Sequence, residues 1–369
     1  EVEKIPRKCK VVWYDKFVTQ KATKLYYRKK KLYNQVLKAN KIKFLNYFQE
    51  LGTIIAESLC VYLKDIYKEI LPACFVYLRT SEDLVRSLSP KIMVGVHAAR
   101  ATEISLYTIG KKYGITSYLV HHAVFPQLFG NFNLADKIFL PGKRMKKIVE
   151  ESGINSSKIR ITGTPHWDEI FRCYKKRSRS SCLSECEKNL KIKLKDPIIT
   201  YTTQPGSHYN IKPLVKAIRT IIRTGTLIIK LHPREKKSVY KGIEEIDSSF
   251  RVIIVKDEIA TPALLKASNL ILLRWSNTLF ESLFLGTPIV IINFGRKIPF
   301  ELDQDIPGIL IVKNFFDFKS GLQRLNIPEL QLRIINDKRL LKFLDEFVNP
   351  TGNATKNIVN IILEDLNKT

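Results

Sequence analysis

Two stretches of the 369-residue chain join imidazole, hydroxyl and guanidinium groups to the apolar runs that would present them. In Lys230-Leu231-His232-Pro233-Arg234 the run TLIIKL ends at a histidine. Pro233 has no N–H for a β-ladder, so the strand stops there. His232 and Arg234 then follow a strand end, one a single directed donor and the other a fork of donors, and both suit a phosphate. In the segment from Arg274 to Glu281 the run LILL leads into Ser276, Asn277 and Thr278, which open a helix. Hydroxyls, an amide and free backbone N–H groups at a helix start also suit a phosphate. Glu281 lies one turn further on, where a carboxylate can accept from two ribose hydroxyls. The alternative is purely local, with Ser276 an N-cap and Glu281 part of a capping arrangement.

Other strand ends carry further candidates. Leu119-Val120-His121-His122 again ends an apolar run in histidine, and either side chain is placed to serve as general base for an acceptor hydroxyl. Thr162-Gly163-Thr164-Pro165-His166-Trp167-Asp168 reads as a loop at a cleft or hinge, where Gly163, His166 and Asp168 would meet an acceptor or shape a turn. Thr203 and Gln204, after the run IITY, stand beside Gly206 in a loop that lets a ligand approach backbone. The phosphate-loop, dinucleotide and nucleophile-elbow motifs are absent. Asp303-Gln304-Asp305 follows no apolar strand and reads as a solvated loop. No metal ligand set is expected, and the chemistry points to histidines and helix dipoles.

The elements that must hold these residues alternate. Strands are expected at Lys91–Val96, Ser117–His122, Lys137–Leu140 and Ile159–Thr162, with helices at 99–113 and 143–151. A second series has strands at Ile198–Thr202, Leu227–Leu231, Arg251–Val255, Leu270–Leu273 and Pro288–Asn293. Helices fit 211–224, 236–245, 261–267, 277–285, 316–325, 329–346 and 354–366. Repeated β-α-β units imply parallel sheets covered by helices. The expected fold class is α/β, two Rossmann-like domains facing across a cleft, with a basic helical segment in front. The domains are 1–175 for the acceptor and 190–369 for the nucleotide donor, with the C-terminal helices able to pack back on the first. The polar run 172–195 contains the linker.

Composition narrows the function. Lys plus Arg number 62 and Asp plus Glu 35, a net charge of +27, against 45% hydrophobic residues. The chain can therefore fill two cores and is not a disordered polycation. The excess is +19 over residues 1–180 and +8 over 181–369. From Lys16 to Gln49 there are ten basic residues, no acidic ones, and interleaved aromatics. That pattern suits an anionic membrane surface or a charged acceptor, and equally a solvated helix face. Six cysteines without metal spacing read as reduced thiols. The uncharged stretch Tyr113–Ala135 holds two His, a Pro and two Gly and does not read as a span. A cytoplasmic protein, peripheral at the inner face of the plasma membrane, is expected.

In order along the chain, the His-ending strand, Gly-x-Pro-x-x-Asp, Thr-Gln-Pro, Lys-x-His-Pro and Ser-x-Thr-x-x-Glu-(x)4-Gly-x-Pro resemble the GT-B glycosyltransferases of bacterial surface polysaccharides. The resemblance covers about Pro90 to Phe294 and is to the CDP-glycerol glycerophosphotransferase and capsule polysaccharide biosynthesis families. It implies that His122 activates the acceptor, with Ala123 where those families carry Gly. It also implies that His232 contacts the donor phosphates, and that Ser276, Thr278 and Glu281 surround the donor nucleotide. Arg234, Asn277, Thr203 and Gln204 complete the expected donor site; His121, Gly163 and Asp168 the acceptor side. The expected reaction is glycosyl or glycerophosphate transfer, metal-independent and without a cofactor, from a CDP- or UDP-linked or CMP-sugar donor to a polysaccharide or lipid-linked acceptor. The alternatives are a nucleotide-sugar 2-epimerase of the same fold and a non-catalytic polyanion- or nucleic-acid-binding protein. No recognisable nucleic-acid module is present.

Overall fold

The computed structural model describes residues 12–48, 53–121, 124, 132–205, 211–243, 245–246, 249–274, 276–294, 306–324, 331, 334, 337–349 and 352–367. His122, Ala123, Trp275 and the Asp303–Asp305 loop lie outside them. Contacts divide the chain into two units. One is Glu1–Val120 with Leu128–Ile138 and Ile154–Lys158; the other is His121–Gln127 with Phe139–Gly153 and Ile159–Thr369.

The first unit opens with helices α1 (Gln20–Phe48), α2 (Thr53–Asp65) and α3 (Leu71–Leu88). Helix α1 packs on both α2 and α3. Ala22, Leu25, Tyr26, Tyr33 and Leu37 face inward at helical spacing, while the opposite face is exposed. β1 (Ile92–Gly95), α4 (Ala101–Lys112) and β2 (Thr116–Val120) follow, and β1 pairs with β2 in parallel. Glu82 joins α3 to α4. It accepts from Tyr113 Oη at 2.7 Å and Lys112 Nζ at 2.9 Å, and these donors hold its carboxyl down at about 2.

β3 (Lys137–Leu140), α5 (Lys143–Glu151) and β4 (Ile159–Ile161) come next, and one four-stranded sheet has the order β1-β2-β3-β4. A short helix α6 (Pro165–Glu169) runs on through a π-turn, Ile170–Tyr174. The run 172–195 is not an extended linker: it contains α7 (Arg179–Leu190), capped by the Ser178 hydroxyl. Cys182 and Cys186, one turn apart, are fully buried and give this polar helix its inward stripe.

The second unit holds a seven-stranded sheet. Its elements are β5 (Ile198–Thr202), α8 (Ile211–Ile221), β6 (Gly225–Lys230), β7 (Glu245–Ile246), β8 (Phe250–Val255), α9 (Thr261–Ala267), β9 (Leu270–Leu273), α10 (Thr278–Phe284), β10 (Ile289–Ile292), β11 (Ile309–Val312) and α11 (Phe315–Arg324). Helices α12 (Lys338–Phe347) and α13 (Ala354–Leu366) end the chain. The strand order is β11-β10-β9-β5-β6-β8-β7. Alternate residues fill two cores, as a sheet covered on both faces requires. Ile198, Ile228, Ile271, Ile289 and Ile291 pack with α7, α9, α10 and α12. Ile199, Tyr201, Leu227, Ile229, Leu272 and Val290 pack with α8 and α11.

Three expectations need correction. The helix expected at 236–245 is a single 3-10 turn, Lys237–Tyr240, followed by the antiparallel edge strand β7. Tyr240 is drawn into the interior, and Gly242, at φ +79°, breaks the helical path. The helix expected at 329–346 is not continuous: Gln331 and Ile334 are helical, but Asp337 is extended and a new helix starts at Lys338, where the Asp337 side chain accepts the N–H groups of Arg339 and Leu340. Strand β11 was not foreseen; it adds a parallel edge beside β10. Among the described residues no helix is long and apolar enough to cross a membrane.

Candidate functional site

In the second unit β5 lies between β6 and β9, and Thr202 pairs with Lys230 while Tyr201 pairs with Leu272. One or two residues beyond those pairs come Thr203, His232 and Arg274. Their loops therefore leave the sheet at one edge, in rows roughly 5 Å apart. From β5 the chain builds β6 and β8 to one side, then crosses to build β9, β10 and β11 on the other. Discounting the edge hairpin strand β7, this is the strand order of a Rossmann sheet. Its switch point lies between β5 and β9, where the diverging crossovers leave a crevice at the carboxyl ends of the strands. Thr203-Gln204, Arg274 and Ser276–Thr278 flank that crevice, and His232 follows the next strand.

The His232 loop is built around a buried carboxylate that sequence reasoning missed. Glu235 is 8% exposed. It accepts from Tyr240 Oη at 2.7 Å, from the Thr203 hydroxyl, and from the His232 N–H at 3.3 Å. The same His232 N–H reaches Thr203 Oγ1 at 2.9 Å. Thr203 thus braces the loop. Burial, with the hydrogen bond to Glu235, pushes the Tyr240 phenol up. The Arg234 N–H donates to His232 Nδ1 at 3.1 Å. A nitrogen that accepts carries no proton, so in the neutral ring the proton sits on Nε2. Burial lowers the His232 pKa, Glu235 opposes this and Arg234 adds to it. At neutral pH the half-buried ring is one fixed N–H donor, beside the exposed Arg234 side chain. Lys230 is committed elsewhere: its ammonium donates to the carbonyls of Lys256 and Ile259.

Across β5, the Ser276 hydroxyl accepts the Thr278 N–H at 3.3 Å and bonds the Thr278 hydroxyl. Asn277 Oδ1 accepts the Val124 N–H at 3.4 Å, which turns its amide NH2 the other way. Glu281 is buried, and its Oε1 lies 3.2 Å from His166 Nε2. The hydrogen bond to Glu281 raises the His166 pKa against the effect of burial. His166 is thereby joined to Glu281, which the sequence placed on the expected donor side, a pairing that nothing in the spacing of the two motifs revealed.

The residues expected on the acceptor side do not form one group. Both Asp168 oxygens accept backbone N–H groups, from Ala354 at 2.8 Å and Thr355 at 2.7 Å. Its buried carboxylate caps α13 and is not presented to an acceptor. Gly163 has φ +79°, and a Cβ there would lie 2.7 Å from the Asn349 carbonyl oxygen, so it serves close packing. His121 is buried, and its N–H donates to the Phe139 carbonyl at 2.9 Å. His122 lies outside the described residues. Among the described residues no cluster of His, Cys, Asp and Glu could hold a metal ion.

No protein-family model matches the chain, and no curated protein matches its sequence. Solved structures do resemble it. The UDP-GlcNAc 2-epimerase of Neisseria meningitidis bound to UDP-GlcNAc has TM-score 0.59 at 17% identity, over 80% of this chain and 82% of that one. The UDP-GlcNAc 2-epimerase of Methanocaldococcus jannaschii, in complex with UDP-GlcNAc and UDP, has TM-score 0.55 at 17% identity, over 79% and 81%. The wall teichoic acid polymerase TagF has TM-score 0.51 at 13% identity, over 85% and 98%. At such identities the likeness shows the fold: α/β of the GT-B type, with Rossmann-like parallel sheets.

Proposed function

We propose that this protein is a GT-B transferase that moves a sugar or glycerophosphate from a nucleotide-activated donor to a surface polysaccharide or teichoic-acid-like acceptor. The observation that carries the reading is the His232 loop. A neutral imidazole with its proton fixed on Nε2 stands beside the switch point of a Rossmann sheet, held by a buried carboxylate. Neighbours of the same fold support it: a UDP-GlcNAc 2-epimerase in complex with UDP-GlcNAc and UDP, and a wall teichoic acid polymerase.

In this reading an acceptor hydroxyl attacks the donor's transferred group. The bond from that group to the nucleotide's phosphate oxygen breaks, and the nucleotide leaves with the electron pair. His122 takes the acceptor's proton. His232 Nε2–H, Arg234 and the Asn277 amide stabilise the negative charge growing on the leaving phosphate. The donor is CDP- or UDP-linked, or a CMP-sugar, and no further cofactor is required. The acceptor is a polysaccharide or lipid-linked polymer met at the anionic inner face of the plasma membrane, and a specific nucleic acid is not a partner.

The test is thermal stabilisation by CMP, CDP, UDP, GDP and ADP, with and without magnesium. A ligand at 100 times its dissociation constant adds about 2.7 kcal/mol. A cytidine or uridine preference that is lost in His232→Ala is expected; no shift with any nucleotide overturns the reading. One observation favours a second reading. The Glu281 carboxylate with His166 on it is an acid–base pair of the kind a 2-epimerase needs. Donor incubated without acceptor separates the two, because only the epimerase returns an epimerised sugar.

A further inference from the structure

Helix α1 has two chemically different sides. On the packed side its cations are used internally: Lys30 pairs with Glu69 at 2.6 Å, and Lys29 lies 4.5 Å from the centroid of the Phe75 ring. On the opposite side Lys21, Lys24, Arg28, Lys31, Lys38 and Lys43 are exposed. None of the six has an ion-pair partner among the described residues, and α1 contains no acidic residue. Apolar side chains stand among them in water: Tyr27 is 66% exposed, Leu32 45% and Ile42 73%. The helix is 29 residues long, or roughly 43 Å.

We infer that the outward face of α1 is a docking surface for an anionic lipid bilayer. The inference rests on the proposed function only for its purpose, which is to hold the enzyme where a lipid-linked acceptor lies. Charge complementarity selects an anionic surface, since a face of six cations and no carboxylate has nothing to attract to a neutral one. The exposed aliphatic side chains select a bilayer over a nucleic acid. Leu32 and Ile42 can enter the boundary between headgroups and acyl chains, whereas phosphate and base edges offer them nothing. The cations are five lysines and one arginine. A diffuse anionic surface needs only point charges, while bidentate recognition of individual phosphates favours Arg. Such a helix lies in the plane of the interface and does not cross it.

The experiment is flotation of the full chain with vesicles of phosphatidylcholine alone, or with about one third phosphatidylglycerol. Each Lys or Arg near an anionic surface contributes roughly fivefold in affinity, so K24Q/R28Q/K31Q is expected to lose on the order of a hundredfold. A control, K212Q/K216Q/K356Q, removes the same charge from exposed positions of the second unit and is expected to bind nearly as wild type. Leu32→Ser with Ile42→Ser is expected to weaken binding at high salt, where the charge contribution is screened. Circular dichroism and the nucleotide-dependent melting shift are measured on every variant. A variant that keeps its shift and loses the vesicle supports the inference. Equal loss in the control, no binding of wild type to anionic vesicles, or tighter binding to an oligonucleotide that the α1 variant abolishes each overturns it. None of these outcomes alters the nucleotide result, so the two proposals fail separately.

Discussion

Glu235→Ala is the most informative single change in the second unit. The carboxylate accepts three donors, but their dependence on it differs. The His232 N–H also has Thr203 Oγ1 at 2.9 Å, and the Thr203 hydroxyl also has the Lys230 carbonyl at 3.3 Å. The Tyr240 hydroxyl, on a fully buried side chain, donates to Glu235 at 2.7 Å, and Thr203 also hydrogen-bonds it. Removing the acceptor therefore deprives one buried phenol of a partner, at a cost of about 1–3 kcal/mol, and deletes charge-assisted bonds of about 1.5–3 kcal/mol. Relief of the buried charge offsets part of this. The net expectation is about 2–4 kcal/mol, roughly 5–10 °C in the melting of a unit this size. Differential scanning calorimetry of E235A, Y240F and the double variant decides the matter. Y240F removes the buried hydroxyl that has lost its carboxylate, so E235A/Y240F should be more stable than E235A alone by about 1 kcal/mol. If E235A melts within 1 °C of wild type, or Y240F brings no relief, the bracing role assigned to Glu235 is wrong.

Three further outcomes are expected. Gly163→Ala puts a Cβ against the Asn349 carbonyl at a positive φ, and should cost about 2–3 kcal/mol in urea unfolding. Asp168→Asn keeps the shape of the α13 cap but removes its charge and turns an NH2 toward a backbone N–H, for a loss of about 1–2 kcal/mol in the same assay. The two histidines oppose each other in pH dependence. The raised His166 pKa gives stability that is complete below the unfolded value near 6.5 and is lost as pH rises through the folded value. The lowered His232 pKa gives stability that is complete above that value and is lost as pH falls through it. Histidine-resolved NMR titration should place the two on opposite sides of 6.5, and H166Q should remove the alkaline loss.

The parallel sheets were legible because their strands are unbroken apolar runs between turn signals. Ile198–Thr202, Lys137–Leu140 and Leu270–Leu273 have the bounds their sequences imply. Such strands are buried on both faces, so composition alone marks them. Helix α7 was obscured because its inward stripe is two cysteines in a run otherwise rich in Lys, Arg and Ser. β11 was hidden by the Pro307-Gly308 turn and acidic residues in front of it, which read as loop. At the site, His232 and the Ser276–Thr278 segment announced themselves by standing after apolar runs. Glu235 did not, because a Glu in a polar loop is normally exposed; only the buried Tyr240 five residues on reveals what it holds. Asp168 misled for the converse reason. An acid in a Gly-Pro loop looks available, and its partners, the N–H groups of Ala354 and Thr355, are nearly two hundred residues away.

What separates the proposed contact residues from the bracing residues in this unit is where their polar atoms are committed. Thr203, Glu235 and Tyr240 spend their groups on one another and on the His232 backbone, so none has to leave the fold to be satisfied. His232 spends Nδ1 on the Arg234 N–H, and that bond fixes the proton on the other nitrogen. Glu281 differs from both: it is buried, yet it pairs with the His166 imidazole, whose side chain is 64% accessible. A ligand hydroxyl could replace that imidazole without breaking the core, whereas replacing any member of the Thr203–Glu235–Tyr240 set would undo the loop. The exchangeable positions are therefore His232, Arg234, Asn277 and Glu281. All four follow β6 or β9, the two strands that flank β5, so the strand order that creates the crevice also selects the residues able to use it.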